Sequence, residues 1–243
     1  MGELVLGIDT STQVAVGLAR DGEVIDAMWA GDSRSHVELL MPTIEALLRR
    51  SAVTLAQVSA IAVGMGPGPF TGLRVGIAAA EMLAGVGGIP LRRVCSLDVI
   101  GVGWALTSPL TDFVACTDAR RKELYWAVYN PYGQRTAGPY VSVPGSVRAL
   151  PCVGPGTLVY PQAGGGMDSF LAIKLGVRVD RFASQWPRLE DVGPIAGINA
   201  GVLAAYAEQL PDAGPEPLYL RHADAAVSKG TKSVLPGTGR DRS

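Results

Sequence analysis

The sequence predicts an α/β protein of two duplicated lobes, each with a mixed sheet and the element order βββαβαβα. Three observations predict it. The first hundred residues open with three short extended segments and then alternate helix with strand. After Ser108-Pro109 the order starts again. A Gly-Pro-Gly turn recurs at the matching place in both halves, at Gly66-Pro67-Gly68 and Gly154-Pro155-Gly156. Strands that pair first by hairpins and then through helical crossovers give a sheet with antiparallel and parallel parts.

Each element follows from its residues. Residues 4–8 are an apolar run closed by the polar turn Asp9-Thr10-Ser11-Thr12, and read as a buried strand. Val14, Val16 and Leu18 alternate, Asp21-Gly22 marks a hairpin, and residues 23–29 run extended. Val37, Leu40, Met41, Ile44, Leu47 and Leu48 fall at helical spacing, with Ser33 or Ser35 as cap and a kink expected at Pro42. A strand at 59–65, a helix at 71–86, a strand at 89–95 and a helix at 96–106 complete the first half. The second half reads as strands at 113–117, 123–129 and 139–143, then a weak helix from Gly145. A short strand at Cys152-Val153, a strand at 177–179 and a helix at 191–209 follow. The expected organisation is a first lobe over 1–107, a second over 108–222 and a flexible tail over 223–243.

Charge is nearly balanced, at 21 basic and 22 acidic residues, so no overall basic surface for nucleic acid is expected, although a local patch is possible. Only 18% of residues are charged, against about a quarter in a typical soluble domain, which leaves apolar surface for a partner. Cys95, Cys116 and Cys152 are odd in number and widely spaced, and read as reduced, buried thiols. The apolar run 75–89 is interrupted by Glu81 and glycines and is short for a membrane span; with no leader pattern at Met1-Gly2-Glu3, the expectation is a cytoplasmic protein without a membrane.

The most informative stretch is Gly66-Pro67-Gly68-Pro69-Phe70-Thr71-Gly72-Leu73-Arg74. A Gly/Pro loop between strand and helix can aim backbone N–H groups at an anion. Here the loop has no lysine, and Pro69 removes a donor. The helix it opens carries Gly72, Gly76, Ala80 and Ala84 every four residues, a face that allows close approach, while Leu73, Ile77 and Met82 lie off it. It is apolar around nearly its whole circumference, so it needs cover on two sides. The sheet supplies one. The expected cover on the other is an intermolecular bundle of helices 35–50 and 71–86, with His36, Leu40, Leu47, Gly72, Leu73, Arg74, Gly76, Ala80 and Ala84 at the contact.

Other chemistry is sparse. The only histidines are His36 and His222, so no helix carries a metal-binding pair. His36 reads as a capping or surface residue or a partner contact. Asp9 either holds Mg²⁺ through water or caps its own turn. Arg120, Arg121 and Lys122 form the densest basic cluster, which either touches phosphate or is a solvated hairpin turn. Gly164-Gly165-Gly166 reads as a flexible loop. No phosphate-binding lysine loop, C-x-x-C pair or supported Ser–His–Asp set is present.

The repeated βββαβαβα order is the plan of the actin-like ATPase superfamily, whose lobes are ribonuclease H-like. The finer resemblance rests on Leu6-Gly7-Ile8-Asp9-Thr10-Ser11-Thr12, Arg34-Ser35-His36, Gly64 through Gly76, Asp118-Ala119-Arg120-Arg121-Lys122-Glu123-Leu124-Tyr125 and Pro217-Leu218-Tyr219-Leu220-Arg221. In this order they resemble the TsaB (YeaZ) family of bacterial tRNA threonylcarbamoyladenosine biosynthesis proteins, which usually has Ser where this chain has Pro69.

The resemblance implies a non-catalytic subunit that binds and activates a paralogue, TsaD. That partner carries the metal site and transfers threonylcarbamoyl from an adenylate to adenosine 37 of tRNAs reading ANN codons. It also implies an ATPase, TsaE, in the assembly, ATP and a divalent metal in the complex rather than on this chain alone, tRNA reached through the complex, and a homodimer when the partner is absent. The rival is a small-molecule kinase or ATPase of the same superfamily, using Asp9, Thr10, Ser11 and the Gly66–Gly68 loop. Such an enzyme would want a glycine-rich second phosphate loop, and Thr117-Asp118-Ala119-Arg120-Arg121-Lys122 contains no glycine. A third reading, a chaperone-like or protease-like regulator of a paralogue, has no residue pattern behind it.

Overall fold

The computed structural model describes residues 2–30, 36–107, 109–161, 163 and 197–221. The first sheet holds β1 (Leu4–Asp9), β2 (Val14–Arg20), β3 (Glu23–Ala30), β4 (Ala60–Gly64) and β5 (Leu91–Val94), in the order β3-β2-β1-β4-β5. β1 pairs antiparallel with β2, as Leu6 opposite Leu18, and parallel with β4, as Leu6 opposite Ile61. The second sheet holds β6 (Phe113–Asp118), β7 (Leu124–Tyr129), β8 (Arg135–Ser142) and β9 (Cys152–Val153), in the order β8-β7-β6-β9. Its β6–β7 hairpin is antiparallel and β6–β9 is parallel. Both sheets are mixed, as the element order requires.

Side chains alternate across the first sheet and divide its core in two. Leu4, Leu6, Ile8, Val16, Leu18, Ile61 and Val63 face α1 (His36–Arg50) and α2 (Phe70–Gly87). Val5, Ala19, Ala60 and Ala62 face the other way, toward α3 (Ser96–Ala105) and Ala200–Tyr206. The latter helix is α5, since the single turn Gly156–Val159 is α4. Phe113, Ala115, Ala127 and Tyr129 of the second sheet join that same core, so α3 and α5 lie between the two sheets.

The helix expected over 191–209 differs most among the described residues. Gly197, Ile198 and Asn199 are not helical, and α5 starts at Ala200, where the Asn199 side chain accepts hydrogen bonds from the N–H groups of Gly201 (2.8 Å) and Val202 (3.2 Å). Although α5 comes late in the chain, it packs on the first sheet. A Cβ at Gly17 would lie 2.1 Å from the Gly201 nitrogen, so strand and helix touch backbone to backbone. The small residues Ala200, Gly201, Ala204 and Ala205 make that approach possible.

Smaller corrections concern the second half. β8 begins at Arg135, four residues before the expected start at 139, and its register against β7 shifts around Val128. The helix expected from Gly145 is a short 3-10 turn over Pro144–Ser146. The expected strand at 177–179, Gly164 to Gly166, the caps Ser33 and Ser35, His222 and the 223–243 tail lie outside the described residues. α1 runs unbroken through Pro42. Cys95, Cys116 and Cys152 are free and buried, and burial pushes the Cys95 thiol up to about 12. By length and composition α2 is apolar enough to cross a membrane; in this fold one side of it packs on the first sheet.

Candidate functional site

β1 ends in a turn organised by its own carboxylate. Asp9 is fully buried, and its Oδ1 accepts from the Ser11 N–H (2.8 Å) and hydroxyl (2.7 Å). Its Oδ2 accepts from the Ser96 hydroxyl at 2.5 Å. Ser96 also receives the Gly66 N–H on its hydroxyl (3.0 Å) and gives its own N–H to the Gly66 carbonyl (2.7 Å). One carboxylate thus joins the first turn, the Gly66 loop and the start of α3. Asp9 here caps its turn, one of the two roles open to it from sequence, and Thr10, Ser11, Gly66 and Gly68 are buried around it.

The structure inverts the expected faces of α2. Gly72, Leu73, Gly76, Ala80 and Ala84 are all buried within the chain, as are Leu40 and Leu47 of α1. The small-residue stripe is the inward face. The Thr10 hydroxyl donates to the Gly72 carbonyl at 2.7 Å, and a Cβ at Gly76 would come within 2.2 Å of Thr10 Oγ1. The close approach that the stripe permits is to the β1 turn, so those residues cannot be the contact surface. Of the expected surface residues, Arg74 alone is exposed, and nothing is described of the His36 side chain.

The outward face of α2 is a different set. Thr71, Arg74, Ala78, Met82, Gly85 and Val86 recur on one side and are exposed, Met82 by 54% and Val86 by 87%. A Cβ at Gly85 would touch nothing within 4 Å. Val37 on the neighbouring α1 is 70% exposed. Two packed helices thus each leave apolar side chains exposed to solvent.

A second feature lies at the start of α2. Residues 212–221 run from the β5 edge, where Ala213 N–H donates to the Arg93 carbonyl (2.9 Å), past the Met65 carbonyl, which accepts the Leu218 N–H (2.8 Å), to the second sheet. The Tyr219 ring packs 4.8 Å from that of Phe70, and its hydroxyl accepts from Arg74 Nε at 3.2 Å. The Arg74 guanidinium lies 3.8 Å from the centre of the Phe70 ring. Arg221 donates to the Ala119 carbonyl (3.1 Å) and pairs with Glu123. Between Pro69, Phe70, Tyr125, Tyr219 and the Asp118–Arg121 turn is a cleft of about 190 Å³. Burial and the nearby Asp118 raise the Tyr125 pKa. Sequence reasoning had no physical signal for the roles of Phe70 and Tyr219, which depend on a contact across 149 positions.

A family model described as TsaD, tRNA N6-adenosine threonylcarbamoyltransferase, matches residues 31–176. An uncharacterized protein of Mycobacterium tuberculosis strain H37Rv is 39% identical over 224 residues, 91% of this chain and 93% of that one. The tRNA threonylcarbamoyladenosine biosynthesis protein TsaB of Escherichia coli K12 is 36% identical over 126 residues, 51% of this chain and 54% of that one. A crystal structure from Pseudomonas aeruginosa, described as an uncharacterized protein with similarity to peptidase YeaZ, superposes with a TM-score of 0.63. It is 25% identical and covers 90% of this chain and 100% of its own.

The chain belongs to the TsaB (YeaZ) family. Its two mixed sheets are the fold the actin-like resemblance implied. Four of the five motifs behind the resemblance lie in the first turn, the Gly66 loop with α2, the 118–125 hairpin and the 217–221 segment, and the structure brings these four together in space; the fifth begins at Arg34 and Ser35, outside the described residues. Pro69, the departure from the family, is the residue that precedes α2, and its carbonyl accepts the Leu73 N–H at 3.0 Å. Its φ of −61° is the angle the proline ring imposes.

Proposed function

We propose that this chain is the non-catalytic scaffold subunit of a machine that makes threonylcarbamoyladenosine at position 37 of tRNAs reading ANN codons. It acts by docking a TsaD-type paralogue on the outward face of α1 and α2. The observation that carries the reading is that face, where Met82, Val86 and Val37 stand exposed on adjacent helices while the polar groups of the first turn bond to one another. Relatives named as TsaB, and a family model described as TsaD, support the pathway. The transferase chemistry, ATP and a divalent metal enter with the paralogue and a TsaE-type ATPase. The same α1–α2 face pairs with a second copy when the paralogue is absent, because a self-complementary patch suffices for a two-fold dimer. The setting is the cytoplasm.

The kinase or ATPase alternative needs Asp9 at a metal and a second phosphate loop. The bonds from Asp9 to Ser11 and Ser96 weigh against it. Reconstituted tRNA modification with and without the chain tests the proposal: product should require it, and a chain carrying Met82→Glu with Val86→Glu, which cannot dock, should fail to restore product. Steady-state ATP hydrolysis by the purified chain, abolished by Asp9→Ala, would refute it.

A further inference from the structure

Arg120, Arg121 and Lys122 hold φ angles of 61°, 54° and 63°. This is the left-handed region that side chains other than glycine and asparagine seldom adopt, and three in succession is costly. Three cations occupy positions where glycine would be easier. The turn is held on every side: Arg120 N–H donates to Asp118 Oδ1 (2.8 Å), Ala119 N–H to the Glu123 carbonyl (3.0 Å), and Glu123 N–H to the Arg120 carbonyl (3.1 Å). Arg221 binds both Ala119 and Glu123 from outside the hairpin. Arg120, Arg121 and Lys122 are all exposed. Strained backbone that its surroundings over-determine is a pointer to use.

The turn also adjoins Arg74, Phe70 and Tyr219 at the start of α2 across the small cleft. Arg120, Arg121 and Arg221 line this cleft, Lys122 follows in the turn and Arg74 lies over the Phe70 ring; Arg120 and Arg221 pair with the two acidic residues, Asp118 and Glu123, so the five cations outnumber the local anions. The chain as a whole has a formal net charge of −1, so this positive patch is local. Cations in series beside aromatic rings suit phosphates with unstacked bases. Nucleoside phosphates could come from RNA or from a free nucleotide. A cleft of about 190 Å³ is below the roughly 300–1,000 Å³ of pockets that enclose such a ligand, which favours an extended strand lying over the surface.

We propose that the 120–122 turn, with Arg74, contacts the sugar-phosphate backbone of the tRNA directly, beside the helix that docks the partner. This rests on the reading that the chain serves tRNA modification. The test is fluorescence titration of a tRNA transcript with the full chain, alone and in complex with the paralogue, over a range of salt. Arg121→Gly with Lys122→Gly removes two cations and keeps a backbone that favours positive φ. Its Tm should hold or rise, the salt slope of log K should fall by about 2, and binding at 0.1 M salt should weaken on the order of 10- to 50-fold. Arg20→Glu, an equal change in net charge on an exposed residue at the far end of β1 and β2, should bind as the wild type does.

Unchanged affinity and slope in the double variant would overturn the proposal, as would equal weakening by Arg20→Glu or displacement of tRNA by millimolar ATP. Calorimetry of the same proteins with the paralogue separates the two claims. Wild-type chain that fails to bind the paralogue refutes the scaffold reading, whereas a double variant that docks normally but keeps wild-type tRNA affinity refutes only the RNA contact.

Discussion

Placing Gly76 and Gly85 on opposite sides of α2 predicts opposite effects for the same substitution. An alanine at Gly76 puts a Cβ 2.2 Å from Thr10 Oγ1, far inside contact distance, and Thr10 must move. Its hydroxyl then leaves the Gly72 carbonyl, a buried bond of 2.7 Å worth about 1 kcal/mol. Overpacking at a tight contact adds about 1–3 kcal/mol, while replacing a helical glycine by alanine returns about 1 kcal/mol. The net expectation for Gly76→Ala is a loss of about 1–3 kcal/mol. At Gly85 nothing lies within 4 Å of a new Cβ, so only the helix term remains, a gain of about 0.5–1 kcal/mol. For a chain of this size each kcal/mol moves Tm by about 2–4 °C. Thermal unfolding should therefore show Gly76→Ala lower by about 2–12 °C and Gly85→Ala higher by about 1–4 °C. Equal shifts for the two, or a stabilised Gly76→Ala, would refute the assignment of faces.

Other outcomes follow from the first turn, the thiols and the 212–221 segment. Asp9→Ala removes three hydrogen bonds to a buried carboxylate and should cost about 3 kcal/mol or more in urea unfolding, while added Mg²⁺ leaves the wild-type midpoint in place. The Cys95 thiol keeps its proton in the folded chain up to about pH 12 but loses it near 9 when unfolded. The folded state then binds more protons between those values, so stability from this group is intact below pH 9 and falls as pH rises toward 12. Alkylation at pH 8 should leave all three buried thiols unmodified until denaturant is added. Arg221→Ala should speed amide exchange in the 118–123 turn, since it removes the contacts to Ala119 and Glu123, without loosening β1.

The elements most legible in the sequence are those whose own residues decide them. The β1 run, the Asp21-Gly22 hairpin and the spacing from Val37 to Leu48 each formed as their patterns predicted. What could not be read was which neighbour an element meets. Glycine and alanine at four-residue intervals in α2 signal close approach, but an apolar helix gives no sign of direction. What the stripe approaches is the Thr10 side chain of the β1 turn. The same ambiguity hid α5, whose small residues fit against Gly17 of a strand nearly two hundred positions earlier. Single residues such as Tyr219 acquire a role only where the fold returns the chain to Phe70 and Arg74.

The measurement closest to the central claim is calorimetry of this chain with its TsaD-type paralogue, comparing wild type with Met82→Glu/Val86→Glu. Both side chains are exposed, so the variant should unfold within about 1 kcal/mol of wild type. The scaffold account predicts heat of binding for the wild type and none for the variant, with tRNA modification lost in parallel. A variant that binds and supports modification like wild type would contradict it.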